Sequence, residues 1–170
     1  MYVDDCKHTF EELATRVLPG HMERLQVALR QPRPGAQFAD AALGPRLLAR
    51  TLGLAQDFSG CYVLLEGESP KYVGISRKVL SRLRQHFRGK THFDASLAYA
   101  VAQRRRPTPL RRSQAMADPQ FRTAFQDAQA YLTGLNVAYV DIANPLELYL
   151  FEAYAAVSLG TFEWNTFRTH

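Results

Sequence analysis

Tyr62, Tyr72, Arg82 and His86 fall close together in the chain, and Glu152 lies on its last long helix. If the polar loop Glu66-Gly67-Glu68-Ser69-Pro70 is symmetric about Gly67, Tyr62 and Tyr72 stand directly opposite each other on two antiparallel strands. Opposed residues point to one face, so two phenols project side by side. Arg82 and His86 are four apart and share one face of the following helix. A phenol titrates ordinarily near ~10 and acts as a base at neutral pH only if a metal or a cation lowers that value. An arginine stabilises charge that develops on an anion. Among Leu148, Tyr149, Ala155 and Ala156, the Glu152 carboxylate is costly to bury unless it is paired or bound to a metal. Read from composition alone, it is either an exposed acid at the edge of an apolar helix or such a ligand.

The elements that must position these groups are readable around them. Gly60-Cys61-Tyr62-Val63-Leu64-Leu65 and Lys71-Tyr72-Val73-Gly74-Ile75-Ser76 read as the strands of a hairpin. Ser76 suits an N-cap, and Val79, Leu80, Leu83 and Phe87 form an apolar stripe at helical spacing. Leu135 to Ile142 reads as a third strand. Asn144-Pro145-Leu146-Glu147 opens the last helix, which ends near Gly160. Glu147, three residues after Asn144, takes the capping-box position and so has a structural task.

Gly60-Cys61-Tyr62 and Tyr72-Val73-Gly74, at this separation and followed by Arg82 and His86, resemble the GIY-YIG nuclease family. The resemblance covers roughly residues 58–88 and 135–165. It implies an α+β fold with a small antiparallel three-stranded sheet flanked by helices. It implies DNA as partner, with branched and single-stranded forms among the candidates, and one divalent ion, Mg2+ or Mn2+. Hydrolysing a phosphodiester needs a nucleophilic water, charge stabilisation on phosphate and usually a metal. The resemblance makes Tyr62 the general base, Tyr72 its assistant and Arg82 the stabiliser of phosphate charge. His86 becomes a phosphate or proton-transfer group. The family glutamate lies about a dozen residues before an asparagine, which selects Glu152 as metal ligand with Asn165 at the substrate. The chain departs from the family in having Cys61 in place of an aliphatic residue, expected to point away from the tyrosines, and Ile75 where several relatives carry lysine. It also has a long insertion at about 89–133.

Net charge is +5 and the pI is about 9.4, which mildly favours an anionic partner. Cys6 and Cys61 form no metal-type pair, which suggests a reduced, cytoplasmic protein. No apolar run reaches membrane-spanning length. Residues 1–57 read as an N-terminal helical extension on a main domain of 58–170, with a capping box at Thr9-Phe10-Glu11-Glu12 and an interruption at Pro19-Gly20. Asp94 is expected to cap a helix through Leu97, Tyr99 and Val101, and Asp118-Pro119 to start another. Between them, Arg104, Arg105, Arg106, Arg111 and Arg112 lie around two prolines and read as a phosphate-contacting loop, or else as a solvated segment. His8, His21, His92 and His170 have no zinc spacing, though His92 follows the signature helix closely enough in sequence to approach the site. Two other functions fit the same features: a non-catalytic nucleic-acid-binding module of this fold, and a protein-interaction domain.

Overall fold

The computed structural model describes residues 3–167, so His170 lies outside the described residues. They fall into two compact units, one drawn from 3–33, 57–79 and 136–167, the other from 34–56 and 80–135. Among the described residues, no helix is long and apolar enough to cross a membrane.

The first unit begins with helix α1 (Phe10–Glu12), a π turn (Leu13–Val17) and helix α2 (Leu18–Leu29) in direct succession. The expected capping box is present, with the Glu12 N–H donating to Thr9 Oγ1 at 3.2 Å and the Thr9 N–H to Glu12 Oε2 at 2.9 Å. Pro19-Gly20 does not interrupt this helix. Proline lacks the N–H that the carbonyl four residues back would accept, and the wider π turn sits one turn upstream, where that ladder must be redrawn.

Strands β1 (Arg33–Pro34), β2 (Gly60–Glu66), β3 (Ser69–Ser76) and β4 (Asn136–Asp141) form one sheet in the order β1-β4-β2-β3. The expected three-stranded sheet gains a fourth, two-residue strand at its edge. β2 is antiparallel to both neighbours. Its odd residues Cys61, Val63 and Leu65 enter a core with Val73, Ala138, Val140, Leu18, Met22 and Leu25, closed by Leu148, Phe151 and Ala155 of helix α9 (Pro145–Leu159). Cys61 therefore points away from the tyrosine face, as expected. Asn144 caps α9, its Oδ1 accepting from the Glu147 N–H at 3.1 Å, and Gly160 ends it at φ 65°, a left-handed conformation that glycine adopts without strain.

In the second unit, helices α3 (Gly35–Ala39) and α4 (Pro45–Thr51) precede α5 (Val79–Arg88, whose first residue belongs to the first unit), α6 (Ser96–Arg105), α7 (Arg112–Ala117) and α8 (Pro119–Thr133). Val79, Leu80, Leu83 and Phe87 of α5 are all buried, as their spacing requires. Asp118 caps α8, accepting from the Phe121 N–H at 2.8 Å. Asp94 does not cap α6. Ala95 occupies that position, and the Asp94 carboxylate accepts from the Thr91 hydroxyl at 2.8 Å.

The carboxylate of Glu147 takes a different structural task from the one its position suggests. An arginine cannot accept a hydrogen bond, so the 3.0 Å contact between Arg24 Nη2 and His21 Nδ1 makes Nδ1 the acceptor. His21 Nε2 then carries the proton and donates to Glu147 Oε2 at 2.8 Å. Arg24 also donates to the Asp141 carboxylate and carbonyl at 2.9 and 2.8 Å, so one chain of bonds ties α2 to the end of β4 and the start of α9. Glu147→Ala leaves a largely buried imidazole N–H without its acceptor and is expected to lower unfolding free energy by about 1–3 kcal/mol in urea denaturation. An unchanged midpoint and slope would show that this chain of bonds does not support the fold.

Candidate active site

A hairpin positions the tyrosines. Glu66 pairs with Ser69, so Gly67 and Glu68 form the turn, and Gly67 takes φ 60°, which suits the first central position of a tight hairpin turn. Continued without a break, that turn would pair Tyr62 with Val73 and send Tyr72 to the opposite face. A register shift intervenes. Leu65 pairs with Pro70 but Leu64 with Tyr72, so Lys71 is bulged out. Pro70 has no N–H to give to a ladder and is tolerated at such an irregularity on an edge strand.

Beyond the bulge Tyr62 pairs with Gly74, and Tyr72 with Leu64. The tyrosines are therefore diagonal neighbours rather than directly opposed, which corrects the symmetric-loop expectation. They still share a face, with ring centroids 6.2 Å apart at 51°. The Tyr62 ring lies across Gly74, where a Cβ would come within 2.4 Å of its Cζ and hydroxyl. Glycine at this position is a steric requirement of the ring beside it. Tyr62 is only 1% exposed, while Tyr72 is half-buried.

Asn165 reaches the same strand from the segment after α9. The Val73 N–H donates to its Oδ1 at 2.9 Å, and its Nδ2 donates to the Val73 carbonyl at 2.7 Å. The amide thus pairs with the outer edge of β3 as a further strand would, and both its polar atoms are engaged there. Glu152, also in this unit, is half-buried. Burial raises its carboxyl pKa, and its charge adds to the burial that raises the Cys61 thiol. Its carboxylate has no hydrogen bond or ion pair among the described residues. No group of three or more metal-ligating side chains exists among them either. A lone carboxylate in this condition fits an ion such as Mg2+, which keeps most of its waters and takes one or two carboxylates together with substrate phosphate.

The second unit holds Arg82 and His86. Arg82 Nη1 donates to the Asp94 carbonyl at 2.9 Å and to Gln85 Oε1 at 3.2 Å, and Nη2 to Ser96 Oγ at 2.8 Å. These bonds fix the plane of the guanidinium and leave part of its fork for another acceptor. His86 is fully buried rather than on the helix surface. Burial, and then the charge of Arg82, push its pKa down to about 3, so its imidazole is neutral at pH 7. Helical spacing gave its face but not its depth.

The arginine-rich segment is less of a loop than its prolines suggest. α6 continues through Arg105 and α7 begins at Arg112, because Pro107 and Pro109 restrict only the residues between the two helices. Arg105 stacks on Tyr131 at 4.5 Å and Arg112 lies over Tyr99 at 5.4 Å, while Arg106 donates to Gln120. Sequence reading missed the Gly74 cradle, the Asn165 clasp and the His21–Glu147 bond. The first is signalled by the Tyr-x-Gly pattern itself. The others join residues far apart in the chain and leave no local signal.

Residues 58–117 match the family model described as the GIY-YIG catalytic domain. The resemblance carried by the two tripeptides therefore holds across the hairpin, α5 and α6 to the end of α7. A GIY-YIG catalytic domain suggests nuclease activity on nucleic acid, and such nucleases generally use divalent metal ions. No curated protein and no solved structure gave a match to the chain.

The burial of His86 has a measurable pH signature. Unfolded, it titrates near its ordinary 6.5; folded, at about 3. Below 6.5 the unfolded chain binds a proton that the folded chain refuses. Stability from this group is therefore complete above about pH 6.5 and is lost as pH falls toward 3. Between pH 7 and 5, the wild type should lose stability with a slope approaching about 1.4 kcal/mol per pH unit, and His86→Gln should give a flatter line. Parallel lines in denaturation at each pH would contradict the burial of a neutral imidazole.

Proposed function

We propose that this protein is a metal-dependent endonuclease that hydrolyses phosphodiester bonds of DNA. The observation that carries the reading is the pair of phenols held on one face of the β2–β3 hairpin, within the segment that matches the catalytic domain. Water is activated at this pair, with Tyr62 as general base and Tyr72 assisting. The Tyr62 ring is fixed by Gly74 and the flanking strand, so its hydroxyl has little freedom to lose on reaching a reactive geometry. Arg82, whose plane is held by Asp94 and Ser96, stabilises the charge that develops on phosphate.

His86 does not act as a phosphate-binding cation in this reading, because it is neutral at working pH. It supports the helix that carries Arg82. Glu152 holds the divalent ion, Mg2+ or Mn2+, which supplies Lewis-acid stabilisation of the leaving oxygen when bound. Asn165 acts by holding the outer edge of β3, and with it Tyr72. Arg104, Arg105, Arg106, Arg111 and Arg112 contribute phosphate contacts away from the reacting group.

The test is incubation with single-stranded, duplex and branched DNA and with RNA, in Mg2+ or chelator, followed by single-turnover rates for two α9 variants. Wild type should cut a DNA substrate in Mg2+ and leave it intact in chelator. Glu152→Gln should slow cleavage by about a hundredfold or more while retaining the fold. Glu147→Ala should lose stability yet cleave at near-normal rate where it is folded. Equal catalytic loss in the two folded variants would sink the assignment of Glu152. Binding without any cleavage would identify a binding module instead.

A further inference from the structure

A pocket of about 530 Å3 opens in the second unit, between the segment after α5 and the helices α7 and α8. Its wall combines Arg88, Lys90 and Arg122 with His92, Phe93 and Phe125, and no carboxylate is among its lining residues. This volume is in the range that holds a small organic ring system. Arg122 is fixed by two donations to the Met116 carbonyl, from Nε at 3.3 Å and Nη2 at 3.2 Å, and Arg88 by Nη1 on the Ala39 carbonyl at 2.8 Å.

Phe93 is 77% exposed, yet it is not adrift. Its ring lies 4.0 Å from that of His92, His92 is 5.8 Å from Tyr99, and Tyr99 is 5.2 Å from the buried Phe121. A ladder of rings thus runs from the interior to solvent and ends on an uncovered aromatic face. The arrangement has two costs in the free protein: apolar surface left in water, and cations gathered with no acid among the pocket's lining residues to balance them. A planar base flanked by phosphates removes both costs. Base–aromatic stacking tolerates any base, and the backbone phosphates answer the cations.

We infer that this pocket receives an unpaired nucleobase of the bound strand, stacked on Phe93, with its flanking phosphates held by Arg88, Lys90 and Arg122. The inference rests on the nuclease reading and adds a substrate class to it. The protein selects nucleic acid in which a base is already out of the helical stack, as in a single strand, a bulge or a branch point, because a paired base must first be unstacked. His92 is the ring that backs Phe93, which gives that histidine a task.

Binding in chelator tests this without any cleavage step. Fluorescence anisotropy compares a paired duplex with the same duplex carrying one extrahelical adenosine, and with a third carrying an abasic analogue there, each as DNA and as RNA. Wild type should prefer the extrahelical adenosine over the paired duplex by about tenfold or more. The abasic probe, which keeps the phosphates and lacks the base, should show no such preference. Phe93→Ala, at an exposed position, should keep the fold and the duplex affinity and lose the preference, and Phe93→Trp should restore it. Preference in the DNA series assigns a DNA strand, and in the RNA series an RNA strand. A wild type without preference, or a preference that survives Phe93→Ala, overturns the pocket assignment while the nuclease reading stands. Failure to bind any probe overturns the pocket assignment as well, and cleavage in Mg2+ then decides separately whether the nuclease reading stands.

Discussion

A one-residue bulge at Lys71 decides what the hairpin presents. Strand side chains alternate with a period of two, so one residue more or less between Tyr62 and Tyr72 moves one phenol to the other face. The two-residue turn at Gly67-Glu68 taken alone gives the wrong parity, and the bulge beside Pro70 restores it. Everything else at the tyrosine pair follows from the resulting register. Gly74 lands opposite Tyr62 and leaves room for its ring, Cys61 and Val63 turn to the core against α9, and the Val73 peptide points outward to meet Asn165.

The last helix shows how two carboxylates on one element come to differ. Glu147 faces His21 and has its acceptor capacity used in a bond that joins distant parts of the first unit. Glu152, one and a half turns on, meets burial without a donor, and its acid is harder to ionise for that reason. A cation relieves the second and has nothing to offer the first. The same logic in reverse applies to His86, where burial and a neighbouring guanidinium disfavour charge and make the imidazole a neutral part of its helix.

Local chemistry was legible in the sequence. The Thr9 capping box, the Asp118 and Asn144 caps, the α5 stripe and the Gly160 terminus all depend on residues within a turn of one another. The common face of Tyr62 and Tyr72 was also legible, although by way of a register two residues off, because a shift of two preserves parity. The bulge was not, since it arises from the missing N–H of Pro70 meeting the needs of a tight turn. Nor were the depth of His86, the clasp of Asn165 on Val73, or the His21–Glu147 bond. Periodicity reports which way a side chain faces, and these features depend on what it meets there. The arginine-rich segment was legible only as a proline-broken connection, for a related reason. Its prolines break the backbone only locally, and the arginines on either side are held by tyrosine rings that a composition cannot place.

The register can be measured directly. Because the Val73 N–H and carbonyl turn outward to Asn165, Val63 and Val73 form the close, non-hydrogen-bonded kind of antiparallel pair, with Cα atoms about 4.5 Å apart. A nuclear Overhauser measurement on the assigned protein should give a strong cross-peak between the Hα protons of Val63 and Val73. A strong Val63–Tyr72 Hα cross-peak in its place would mean an unbulged hairpin with the tyrosines on opposite faces, and would contradict the account of the site.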